Sequence, residues 1–73
     1  MARRPLHPAT VVAFDEAAGW GTVQVDGVGE RSFHCTAIAG DVRTIEVATP
    51  VLVALAPGPS GTVEAVAVQP TGG

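Results

Sequence analysis

The sequence predicts an all-β domain of five short antiparallel strands, closed or nearly closed into a small barrel. Three observations predict it. Short β-branched and apolar runs recur along the chain, separated by turns rich in Gly, Pro and Asp. The segment Trp20–Val25 alternates strictly: Trp20, Thr22 and Gln24 share one face, while Gly21, Val23 and Val25 share the other. No stretch carries a 3.6-residue apolar period over helix length. Closure would also remove the exposed edges of a Val-rich sheet.

The elements follow in order. Residues 9–14 are β-branched and apolar and suit a first strand. Residues 15–19, Asp-Glu-Ala-Ala-Gly, form a turn that ends in glycine. Residues 20–25 are the second strand. Asp26-Gly27 predicts a two-residue hairpin of type I′, whose central positions both need positive φ. Residues 31–35 are the third strand, with Ser32 and His34 on the face opposite Phe33, which is expected in the core. Residues 36–49 form a longer connection with a turn at Gly40-Asp41. Residues 51–56 form the fourth strand, opened by Pro50. Residues 57–61, Pro-Gly-Pro-Ser-Gly, exclude helix. Residues 62–68 are the fifth strand. The expected organisation is a tail over 1–8, a barrel over 9–68 and a second tail over 69–73.

Seventy-three residues make one small domain with a thin core. A hydrophobic fraction of 47% is that of a globular chain rather than a disordered one. There is no lysine, and the cations are Arg3, Arg4, Arg31 and Arg43. Seven acids leave a net charge of −3, a poor balance for binding driven by phosphate neutralisation, unless a local patch opposes the net sign. The single cysteine, Cys35, forms no internal disulfide. Met1-Ala2-Arg3-Arg4 is followed by no apolar segment of leader length, and no run approaches the ~20 residues that span a bilayer. A cytoplasmic protein with no membrane association is the expectation.

Two glycines around Trp20, an alternating strand, and then His34 on the next strand form the layout of a sheet on which bases stack. Gly19-Trp20-Gly21-Thr22-Val23 and Arg31-Ser32-Phe33-His34-Cys35 resemble the two ribonucleoprotein-type motifs of the cold-shock domain. Val11-x-x-Phe14, Asp26-Gly27, Thr36-Ala37-Ile38 and Val51-x-Val53-x-Leu55 are similar to further parts of that family's pattern, from about residue 9 to residue 68. The resemblance implies a five-stranded barrel of the OB type that binds single-stranded RNA or DNA by stacking, in RNA chaperoning or transcription regulation. The chain departs from the pattern at Ala13, Thr22, Ser32 and Cys35, where the family places aromatic residues, and at Val12 and Ala18, where it places lysines.

The implied nucleic-acid-binding residues are Trp20, His34 and Phe14, with Thr22 and Ser32 on the same platform and Arg31 and Arg43 as backbone contacts. Flanking glycines would let a partner approach the sheet closely. A stacked base contributes roughly 1–3 kcal/mol, so three rings give roughly 3–9 kcal/mol gross. Micromolar affinity needs about 8 kcal/mol net, so binding at roughly tens of micromolar or weaker, with a shallow salt dependence, is expected.

Other chemistries fare worse. His34 and Cys35 are strand neighbours expected on opposite faces, and His7 is the one other histidine; a tetrahedral metal site needs four ligands. Asp15-Glu16 falls in a turn, where solvated carboxylates normally sit. No enzyme, metal or cofactor is expected. The alternative is a barrel that has become a protein-interaction or dimerisation module. Its apolar outer face would be built by Leu52, Ala54 and Ala56, opposite the core set Val51, Val53 and Leu55.

Overall fold

A computed structural model of the chain describes residues 5–40, 42–58 and 61–71. Arg3, Arg4, Asp41, Pro59 and Ser60, which figure in the expected tail and turns, lie outside the described residues. The strands are β1 (His7–Asp15), β2 (Trp20–Val25), β3 (Gly29–His34), β4 (Pro50–Pro57) and β5 (Val63–Pro70). All neighbours pair antiparallel in the order β3-β2-β1-β4-β5, compatible with OB-fold topology. The sheet is not closed into a true barrel. β3 lies against β5 without a ladder between them. Past the end of β3, a parallel bridge joins Ile38 to Val68, and the Ala39 N–H donates to the Val68 carbonyl at 2.8 Å.

The alternation of β2 survives intact. Gly21, Val23 and Val25 are buried, whereas Trp20 and Gln24 are exposed and Thr22 half-buried. β1 and β5 break the period. Val11 pairs with Val23 and Ala13 with Thr22, so Val12 is an extra, unpaired residue. Ala54 pairs with Ala67 and Leu55 with Ala65, so Val66 is a second one. Each bulge bends its strand and reverses which face the following residues occupy. The core therefore takes Ala9 and Val11 before the first bulge, and Ala65 and Val68 on either side of the second. Val23, Val25, Phe33, Ile38, Val51 and Val53 complete it.

The hairpin between β2 and β3 differs from the expected type I′ turn. Val25 faces Gly29 across a three-residue loop, Asp26-Gly27-Val28, closed by the Val28 N–H donating to the Val25 carbonyl at 3.0 Å. Gly27 has φ +76° and Asp26 does not have positive φ. Gly29, which faces Val25 at the close of the hairpin, has φ +116°, and β3 starts two residues earlier than expected. β3 also ends one residue early, because Cys35–Ala37 winds into a single 3₁₀ turn. His7 and Pro8 belong to β1, and Gln69 and Pro70 to β5, instead of to tails.

Ala54 departs from the expected exposed outer face. Its register with exposed Ala67 puts it outside the core, yet it is 5% exposed, and Leu52 is half-buried. β4 is an inner strand, flanked by β1 and β5.

Gly21 has a packing role. A Cβ there would collide with the Cζ of Phe33 and lie 2.7 Å from its Cε1 and 2.8 Å from the Ala13 carbonyl oxygen. Gly21→Ala should lower the unfolding free energy by about 1–3 kcal/mol through overpacking. At Gly27 a Cβ would meet nothing within 4 Å, and Ala there bears the cost of its φ alone, about 1 kcal/mol. Urea denaturation of both variants checks this; a smaller loss at Gly21 than at Gly27 would refute the packing account.

Ala48 is the one non-glycine with positive φ (77°) among the described residues. Its N–H donates to the Val11 carbonyl at 2.7 Å, which ties the β4 approach to the first bulge. Ala48→Gly relieves the strain while loosening the unfolded chain, and should change stability by between zero and about +1 kcal/mol. A clear loss in the same denaturation assay would show that the turn is unstrained.

Candidate functional site

Three cross-strand rows organise the end of the sheet where β1, β2 and β3 run together. Asp15 pairs with Trp20, and Trp20 with His34. Next along the strands, Phe14 pairs with Gly21, and Gly21 with Phe33. The third row is Ala13, Thr22 and Ser32. Residues opposite one another across an antiparallel pair point to the same face, and successive rows alternate. The first and third rows are therefore outside, and the middle row is inside.

This geometry divides the expected stacking set. Trp20 is 41% exposed on the outer face. His34 stands beside it with ring centroids 4.9 Å apart and planes at 74°. Phe14 is carried to the inner side by the bulge at Val12; its ring stacks on Phe33 at 5.9 Å and 13° and packs against the core. Phe14 is thus turned toward the core instead of standing beside Trp20, and no three-ring platform forms. Perpendicular rings also prevent one flat ligand from stacking on Trp20 and His34 together.

An open hollow lies next to the indole, bordered by Asp15, Ala13, Thr22 and Ser32, with Phe14 and Gly21 also touching it. His34 does not border it. The imidazole is instead fixed in place from its own strand end. The Thr36 N–H donates to His34 Nδ1 at 3.3 Å, and the Thr36 hydroxyl is 2.9 Å from the same atom. A backbone N–H aimed at Nδ1 requires that nitrogen to accept, so the proton of the neutral ring sits on Nε2. His34 is thus held by Thr36 and meets Trp20 edge-on.

The glycines around Trp20 owe their places to the fold. Gly19 has φ +73°, and its N–H donates to the Asp15 carbonyl at 2.8 Å to close the β1–β2 turn. Gly21 makes room for Phe33 on the inside. Gly21 also borders the hollow beside Trp20.

The expected cations are elsewhere. Arg31 pairs with Val23, in a row of the inner phase, and its Nη1 donates to the Glu30 carbonyl at 2.6 Å. It borders a second hollow with Glu30, Ser32, Thr62 and Val63, which shares Ser32 with the one beside Trp20. Arg43 is exposed beside Thr36, Gly40 and Val42 in the connection after the 3₁₀ turn. The hollow beside Trp20 holds one charged residue among those that border it, the acid Asp15. Its Oδ1 accepts from the N–H groups of Ala17 and Ala18 at 3.0 and 3.2 Å, so this carboxylate caps its own turn. Asp15 lies on the Trp20 face for a reason the sequence conceals: without the bulge at Val12 it would point inward.

Cys35 also differs from expectation. Because β3 ends at His34, the thiol is not on the opposite face of a strand; Sγ lies 3.9 Å from His34 Nδ1. It is half-buried against the core as a free thiol. No group of three or more His, Cys, Asp or Glu residues capable of holding a metal occurs among the described residues. No helix among the described residues is long and apolar enough to cross a membrane. No protein-family model and no curated protein sequence matches the chain.

Trp20 is the sole tryptophan, so its fluorescence reports directly on its contact with His34. His34→Ala should shift the emission to longer wavelength, because the indole loses a neighbour at 4.9 Å and gains water. An emission maximum unchanged by the substitution would show that His34 does not hold the ring.

Proposed function

We propose that the domain binds single-stranded nucleic acid weakly, by stacking one base on Trp20. The single observation that carries this reading is a partly exposed indole, met edge-on by His34, beside an open hollow on the outer face of a sheet with OB-like strand order. The resemblance of Gly19–Val23 and Arg31–Cys35 to the cold-shock motifs supports the same reading, since Trp20 and His34 occupy the matching positions and meet in space. Thr22 and Ser32 offer hydroxyls to the sugar or the base edge.

One exposed ring lowers the expected affinity below the estimate from three. A single stack contributes roughly 1–3 kcal/mol, whereas a millimolar constant already requires about 4 kcal/mol. The hydroxyls and adjacent nucleotides must supply the rest, which places the dissociation constant on the order of 0.1–1 mM. The outer rows carry Asp15 and Glu30 and no arginine, so little counterion release accompanies binding. For the alternative of a dimerisation module, the face near Leu52 and Ala54 offers less apolar surface than alternation alone suggests, since Leu52 is half-buried and Ala54 5% exposed.

An NMR titration with short single-stranded oligomers tests the proposal. The indole N–H of Trp20 and the amides of Thr22 and Ser32 should shift, and doubling the salt should change the constant less than twofold. Trp20→Ala should abolish measurable binding, while Trp20→Phe should retain part of it. Shifts confined to β4 and β5, or nanomolar affinity that survives Trp20→Ala, would overturn the model. A molecular mass that rises with protein concentration, with no response to oligomers, would favour self-association instead.

A further inference from the structure

We infer that Asp15 gives the Trp20 hollow a preference for bases that carry an exocyclic amine, such as cytosine, over thymine and uracil; this rests on the stacking function proposed above. The placement is set by register. Asp15 lies directly opposite Trp20 on the neighbouring strand, on the same face, and both border the hollow. A base lying on the indole with its edge toward β1 therefore meets a carboxylate.

The two oxygens of that carboxylate have different duties. Oδ1 is occupied by the Ala17 and Ala18 N–H groups, and Oδ2 makes no hydrogen bond to any described residue. An ionised carboxylate only accepts, so Oδ2 calls for a donor. The amine at C4 of cytosine is one, and acceptance from it by Asp or Glu is an established pairing. Thymine and uracil present a carbonyl at the same position, and two acceptors facing each other repel. The hydroxyls of Thr22 and Ser32 act as either donor or acceptor and do not discriminate. No arginine borders the hollow to offset Asp15.

Asp15→Asn isolates the effect. Asparagine keeps Oδ1, which still caps the turn, and replaces Oδ2 with an NH₂ donor. The experiment titrates hexamers of deoxycytidine and deoxythymidine into the native chain and into Asp15→Asn, with the Trp20 indole N–H as reporter. The native chain should bind the cytidine hexamer about tenfold more tightly, the scale of one charge-assisted hydrogen bond. In Asp15→Asn the ratio should fall to unity or reverse. Loss of a negative charge raises affinity for both oligomers alike, so the ratio is the deciding quantity. Unchanged Ala17 and Ala18 amide shifts establish that the turn is intact, and the native ratio alone decides the matter should the variant fail to fold.

Equal binding of both hexamers at Trp20 by the native chain overturns the Asp15 preference and leaves stacking standing. No response of Trp20 to either hexamer overturns both. A short arginine peptide that shifts the indole at lower concentration than either hexamer would show that an acid beside an indole receives a cationic protein side chain here, and would also overturn both.

Discussion

The contact on which the rest of the structure depends is the stack of Phe33 over the bare backbone of Gly21. Phe33 is the largest fully buried side chain, and in a chain of this size one ring is a sizeable part of the core. It fits because Gly21 offers no Cβ, and Phe14 then closes over the ring from the other side. This inner row fixes the outer one. Once Phe14, Gly21 and Phe33 face inward, their neighbours Asp15, Trp20 and His34 must face outward, since a strand alternates. The candidate site is thus held in place by the core beneath it, and its aromatic pair is set by register and not by loop conformation.

The parts of the fold that were legible in the sequence are those where alternation runs unbroken. Trp20–Val25 reads the same in sequence and in space because every position obeys a period of two. Phe33 and His34 were separable for the same reason. The bulges at Val12 and Val66 were not legible: both are ordinary valines in valine-rich strands, and the sequence carries no glycine or proline to mark them. The error they introduce is specific. A reader without the bulge keeps Phe14 in register with the outer face and turns Asp15 inward, which gives the site one ring too many and one acid too few. Cys35 was misplaced by a similar local event, since the 3₁₀ turn that starts there takes it out of the strand alternation.

The electrostatics of the outer face could not be read from composition, which leaves open whether arginines gather in one place. The two described arginines do not. Arg31 bends back to a neighbouring carbonyl, Arg43 lies beyond the 3₁₀ turn, and the outer rows of β1, β2 and β3 contribute Asp15 and Glu30. The described part of this face offers a phosphate little long-range attraction. On the proposed reading, a ligand there would be held by short-range terms: ring stacking, hydroxyl contacts and a carboxylate oxygen of Asp15.

That restriction changes what the site is suited to do. Attraction to phosphates is blind to sequence, and a domain that relies on it gains affinity without discrimination. Stacking is nearly as indifferent, because every base has a flat face. If bases stack on Trp20 as proposed, the carboxylate of Asp15 would be the group in the hollow that distinguishes one base edge from another, with no cation among the bordering residues to mask it. A weak site of the proposed construction would be more selective than a strong basic one, in the sense that a larger share of its small binding energy would depend on which base is present. Such selectivity without strength would serve where the ligand is already tethered nearby, since tethering supplies the missing affinity.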